Sequence, residues 1–220
     1  YRDRITGAQR LSRFLTQADL NAMDARALAI REGGGAIGAL QRANRADPAN
    51  LHVAFQLARL YRRADRPQEA AALLARVRLT GDALVRPDVW WRERRIVARD
   101  LLELRQPQGA YQLVETPPGS SAGDNAEGAF LAGWIALRFL NDPTRAERHF
   151  RQILGIGTTP ITRARGYYWL GRSLSAQGNS TGANQAYAQA MNYGETFYGQ
   201  AAATISGLAI RFPQVPRAQT

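Results

Sequence analysis

The chain has 220 residues, 45% of them hydrophobic, and a formal charge of +11 at pH 7, a balance that belongs to folded chains rather than disordered ones. It holds no cysteine and only two histidines, His52 and His149, which excludes disulfides, thiolate nucleophiles, cysteine-ligated zinc and a histidine-rich metal site. All 29 basic residues are arginine, a surface suited to anionic partners, and no window approaches the roughly 18 consecutive apolar residues of a membrane span.

Tyr1-Arg2-Asp3-Arg4 opens in mid-domain character, with no basic-then-apolar secretion signal. The first helical pattern gathers around Ala36, with Met23, Ala27, Leu40 and Ala43 at matching offsets and Asp47-Pro48 closing it. "REGGGAIGAL" (Arg31 to Leu40) lacks the preceding strand and the Gly-Lys-Ser/Thr ending of a phosphate loop, so it reads as a tight turn between helices. Around Ala70 the same offsets hold Leu57, Tyr61, Leu74 and Val77, with the turn at "ADRP". Around Ala110 stand Val97, Leu101 and Val114, with the turn at "LRQPQG". Around Ala146 stand Gly133, Leu137, Phe150 and Ile153, with the turn at "NDPT". The last pattern centres on Ala183, with Leu170, Leu174, Tyr187 and Ala190, and Gly178 in its turn.

Spacings of three and four put each set on one helix face. The pivotal alanines lie 34, 40, 36 and 37 residues apart, close to the period of about 34 of tetratricopeptide repeats. No alternating β-branched run suggests a sheet. The expected fold is therefore all-α, an α–α superhelix (solenoid) of about five TPR-like helical pairs. The pairs span roughly residues 18–48, 50–80, 88–116, 125–155 and 161–195 of a single domain over 1–212. "RLTGDALVRPDVWW" (Arg78 to Trp91) and "ETPPGSSAGDNAEG" (Glu115 to Gly128) read as long connections, and residues 213–220 as a linker towards a further C-terminal domain.

The eight glutamates and ten aspartates stand mostly beside arginine: Glu93 near Arg92, Arg94 and Arg95, and Glu147 near Arg148 and Arg151. They read as solvated surface pairs of little energetic weight. No catalytic, cofactor-binding or metal-binding residue emerges, and no cofactor is expected. Aromatic residues are dense from Trp90 onward. Rings at helical spacing chiefly fill the gaps between helices; consecutive ones cannot all face one side. Trp91, Tyr168, Trp169, Tyr198 and Gln200 are the candidates for contact with a glycan or partner.

"AEGAFLAGWIALRFLNDPTRAERHFRQI", "TPITRARGYYWLGRSLSAQGNSTGANQAYAQA" and "YGETFYGQAA", preceded by "WWRERRIVARDLLEL", follow one another in this order. Together they resemble the helical scaffold of soluble lytic murein transglycosylases, over Val89 to about Ala203. The resemblance implies a superhelical domain joined to a lysozyme-like domain that cleaves MurNAc–GlcNAc bonds to 1,6-anhydromuropeptides with a single glutamate. The family's Glu-Ser and Gly-Leu-Met-Gln motifs are both missing from this chain; Glu195-Thr196 is the nearest lookalike. The resemblance thus implies a non-catalytic scaffold, inactive alone and working in the periplasm. It would hold or orient peptidoglycan glycan strands beside its own C-terminal catalytic domain and cell-wall or division proteins. The alternative is a TPR-like protein–protein interaction scaffold that binds a peptide or acidic partner in a groove. Nucleic acid is not expected as a partner, because the arginines are spread over all units and no reading motif accompanies them.

Overall fold

A computed structural model describes residues 16–30, 35–78 and 86–209. Among them are eleven helices and no strand: α1 (Gln17–Ile30), α2 (Ala36–Ala46), α3 (Leu51–Arg63), α4 (Pro67–Ala75), α5 (Pro87–Glu103), α6 (Pro107–Val114), α7 (Ala122–Arg138), α8 (Pro143–Ile156), α9 (Pro160–Ala176), α10 (Ser180–Met191) and α11 (Phe197–Ser206). The fold is all-α and built of TPR-like helical pairs, as the spacing predicts. The predicted linker at 213–220 lies outside the described residues.

The turns explain why the helices begin and end where they do. Asp65, Arg105, Asn141 and Gly178 have φ of 56°, 58°, 52° and 77°, the left-handed region that stops a helix. Each stands five residues before the pivotal alanine of its pair. Pro67, Pro107 and Pro143 then open the second helix, where a missing N–H costs nothing. Elsewhere side-chain caps do this work: Asn50 accepts from the Val53 N–H, Asn179 from Gly182 and Thr196 from Gly199. The five pivotal alanines Ala36, Ala70, Ala110, Ala146 and Ala183 are all buried.

Both predicted long connections are shorter than expected. Pro87 starts α5, so Trp90 and Trp91 are helical; residues 79–85 of that stretch lie outside the described residues. Ser121 caps α7 by accepting from the Asp124 N–H, so Ala122 to Gly128 are helical too. A serine followed by acidic and small residues was a start signal that the Gly, Pro and Ser content masked.

The chain divides into two compact units. Unit 1 comprises residues 1–78 and 92–104, with α1 to α4 packed in sequence and α1 also touching α3. Its core gathers Leu40, Val53, Leu57, Ala70 and Leu74. Unit 2 comprises residues 79–91 and 105–220. There α6 to α11 pack each on the next, and the first helices of successive pairs, α7, α9 and α11, also touch one another. Phe150, Ile135, Ile153, Leu170 and Tyr187 fill this unit. Where a ring replaces the aliphatic residue four after the pivot, the facing helix has no side chain. A Cβ on Gly133 would lie 2.7 Å from Phe150, and one on Gly171 would lie 2.5 Å from Tyr187.

Candidate functional site

Five aromatic residues of unit 2 form a continuous strip across α7, α9 and α11. Phe130 on α7 meets Trp169 on α9 edge to face, with ring centroids 6.0 Å apart. Trp169 meets Tyr168 at 5.6 Å, Tyr168 meets Tyr198 of α11 at 5.5 Å, and Tyr198 meets Phe197 at 5.2 Å. Separations of this size and the tilted or edge-on angles are those that aromatic quadrupoles favour. The strip ends at Phe197, which is 75% exposed.

Two arginines of α9 lie along the rings. The Arg165 guanidinium stands 4.4 Å from the Phe130 centroid and donates to Glu127 Oε2 at 3.0 Å. Arg172 stands 5.8 Å from the Trp169 centroid and 6.0 Å from that of Tyr168, and donates to the Tyr168 hydroxyl at 3.2 Å. Residues 165, 168, 169 and 172 share one face of α9 through their spacing of three and four. The result is an apolar surface edged by the Arg172 guanidinium and by the Arg165–Glu127 ion pair, held by cation–π contacts worth about 0.5–1 kcal/mol each.

The structure therefore brings Tyr168, Trp169 and Tyr198 together, whereas Gln200, two residues beyond Tyr198, lies on another side of α11. Gln200 is half-buried and donates back to the Gly194 carbonyl at 3.1 Å. Tyr168 corrects one expectation: it is only 9% exposed, packed among Trp169, Tyr187 and Tyr198, so it supports the strip more than it presents a face. Trp91 corrects another. It is 2% exposed, with its ring against Gly128 of α7, and offers no surface to a ligand. Its burial follows from the approach of α7 to this turn of α5, a stretch that the sequence reading treats as a loop end.

The strip depends on α11, which sequence reasoning missed as a packed helix. A Cβ on Gly199 would lie 2.1 Å from the Tyr193 carbonyl oxygen and 3.0 Å from that of Ala190. Only glycine lets α11 come so close to the end of α10. Thr196, buried, holds the turn by donating to the Tyr193 carbonyl while it caps α11. The signal was present in "YGETFYGQ": a threonine cap followed three residues later by glycine.

Two buried charged groups outside the strip are structural. Glu93 corrects the expectation of a solvated pair: it is 5% exposed and accepts from Arg62 Nε at 2.5 Å. Its partner comes from α3, 31 residues away, and not from its neighbours Arg92, Arg94 and Arg95. Arg94 is buried as well, with Nη2 donating to the carbonyls of Leu74, at 2.6 Å, and Val77 just beyond the C-terminal end of α4. Burial pushes its pKa down to about 10, so it stays cationic at neutral pH. Glu195 is exposed. No three His, Asp or Glu side chains are placed to hold a metal ion among the described residues, and no described helix is long and apolar enough to cross a membrane.

Two tetratricopeptide repeat profiles match the chain, one over residues 27–86 and the other over 165–193. The chain carries tetratricopeptide repeats. The second match covers most of α9, which carries Tyr168 and Trp169 of the strip, and all of α10. No curated protein matches the chain. Among solved structures, one titled as the crystal structure of MamA protein has 16% identity and a TM-score of 0.49, with 88% of this chain and 98% of that chain covered. Another, the crystal structure of MamA, has 17% identity and a TM-score of 0.45, with 82% and 96% covered. At these scores the likeness carries no weight, and the fold rests on the helices and the repeat matches.

Proposed function

We propose that the chain is an interaction scaffold whose TPR-like pairs bind an acidic segment of a partner protein along the ring strip of unit 2. The observation that carries this reading is the run from Phe130 through Trp169, Tyr168 and Tyr198 to Phe197, edged by Arg165 and Arg172. Aromatic residues and arginine are the types that dominate the energy of protein interfaces. A formal charge of +11 draws an acidic partner in. Nothing in the strip pairs a nucleophile with a base, so binding rather than catalysis is its chemistry.

The test is a fluorescence titration with two labelled peptides, one alternating Glu with Phe and one alternating Lys with Phe. The acidic peptide binds in a salt-sensitive manner, and Arg172→Ala with Phe197→Ala weakens it by about tenfold or more. Equal binding of both peptides, or no loss in the double variant, rejects the reading.

A second reading rests on the order of "AGWIALRFL", "YYWLGR" and "FYGQ" in the sequence. Under it the chain is the non-catalytic scaffold of a soluble lytic transglycosylase in the periplasm, and the strip contacts glycan strands or their carboxylate-bearing peptide stems. A sacculus pull-down decides it. Retention by murein that is lost in Phe197→Ala, without release of anhydromuropeptides, supports this reading; absence of retention rejects it.

A further inference from the structure

The second helices of neighbouring pairs leave a groove floored by the first helix between them. Among the described residues a groove of this kind opens into a cleft in each unit, and the two clefts use equivalent positions of the repeat. In unit 1 the cleft lies among α2, α3 and α4 and measures about 280 Å³. Tyr61 belongs to its lining: the hydroxyl accepts from Gln41 Nε2 at 2.8 Å, and the ring lies 4.6 Å from the Arg66 guanidinium. In unit 2 the cleft lies among α8, α9 and α10 and measures about 480 Å³.

Counted from the pivotal alanines, Leu174 stands where Tyr61 stands, Arg151 where Gln41 stands, and Gly182 where Glu69 stands. At these three positions the unit 2 cleft has an aliphatic side chain in place of the phenol, a guanidinium in place of the amide and no carboxylate, while Tyr167 lines it from another position, that of Ala54. Its floor is apolar, with Leu170, Leu174 and Ala186. Its rim carries Gln185 and Gln189, exposed and one turn apart on α10. No hydrogen bond links their amides to any described residue, which leaves both a donor and an acceptor for an extended backbone. The lining holds Arg151 and no carboxylate, whereas the unit 1 lining holds both Arg45 and Glu69. Arg151 is anchored by Nε and Nη2 to Glu147, which leaves Nη1 for another acceptor.

We propose that the unit 2 cleft takes, from an acidic extended segment of a partner protein, the aromatic side chain that Tyr61 supplies from within the chain in unit 1. The ring lies over Leu170 and Leu174, Gln185 and Gln189 bond the segment's backbone, and Arg151 meets a phenol oxygen or a neighbouring carboxylate. This site is separate from the ring strip: Tyr167 lines the cleft, while the next two residues of α9 belong to the strip.

The test titrates the isotopically labelled chain with acetyl-Glu-Glu-Tyr-Glu-Glu-amide and with its counterpart that has alanine at the centre, following backbone amide signals. The tyrosine peptide shifts Arg151, Gly182, Gln185 and Gln189, and binds about tenfold or more tightly than the alanine peptide. Leu174→Tyr supplies the ring from within and removes that preference. The exposed pair Gln185→Glu and Gln189→Glu weakens binding about tenfold without changing the melting temperature, and decides the matter if Leu174→Tyr does not fold. Equal binding of the two peptides, shifts confined to the ring strip, or a folded variant that binds like the parent overturns the proposal. Arg172→Ala with Phe197→Ala leaves this cleft intact, so failure of the strip and failure of the cleft give different results.

Discussion

Replacing Gly171 with alanine tests the packing that underlies both surfaces of α9. The added Cβ would stand 2.5, 2.7 and 2.9 Å from three ring atoms of Tyr187, against roughly 3.5–4.0 Å for an ordinary carbon contact. Tyr187 is 4% exposed and its ring lies 6.1 Å from that of Tyr168, so it has no open side to move into. Overpacking of this kind costs about 1–3 kcal/mol. Replacing a glycine inside a helix returns about 1 kcal/mol, which leaves a net loss of about 1 kcal/mol. The other pairs show the remedy. Ala58 and Ala98 stand where Gly171 stands, and they accompany Leu74 and Val114 in place of Tyr187. Tyr187→Leu alone opens a cavity and costs about 2–4 kcal/mol, whereas in the double variant the alanine methyl fills part of that space. The two substitutions should therefore couple favourably by about 1–3 kcal/mol in a double-mutant cycle. Urea unfolding followed by circular dichroism measures it, with hydrogen exchange on α9 as a local check because repeat arrays can unfold in parts. A Gly171→Ala variant more stable than the parent, or additivity in the cycle, would refute the packing argument.

Gly199→Ala should dislodge α11, since the clash is with a backbone carbonyl at 2.1 Å. Amides of α11 should then lose hydrogen-exchange protection while those of α8 keep theirs. Arg105→Gly should stabilise the chain by about 0.5–1 kcal/mol, because arginine at φ 58° bears a left-handed strain of about 1–2 kcal/mol that glycine escapes at some entropic cost; a denaturant midpoint at or below that of the parent contradicts this. Burial chiefly, with Arg148 and Arg145 nearby, holds the His149 pKa below 6.5. Its stabilising contribution is thus complete above about pH 6.5 and is lost as pH falls through the lowered value. The melting temperature should drop between pH 7 and pH 5, and His149→Gln should flatten that drop.

Periodicity was enough to read the helical pairs. Ala70, with Leu57, Tyr61 and Leu74, is buried where the spacing of three and four puts it, because one helix turn brings such residues to one face whatever packs against it. The turns were legible for the same local reason: Asp-Arg-Pro and Asp-Pro-Thr announce a helix start without reference to anything distant. Contacts between helices were not legible. Glu93 sits among arginines in the sequence yet pairs with Arg62 from another helix, and Trp91 and Tyr168 are buried by residues on helices other than their own. Tyr167 and Tyr168 on α9 face different sides, but only the approach of α10 and α11 decides which side is covered. The two clefts make the same point. Leu174 and Tyr61 occupy one repeat position, and their difference becomes a cavity only when a neighbouring pair supplies its walls. Local spacing is set by backbone geometry alone, whereas burial of a side chain requires a second surface, which belongs to the tertiary fold.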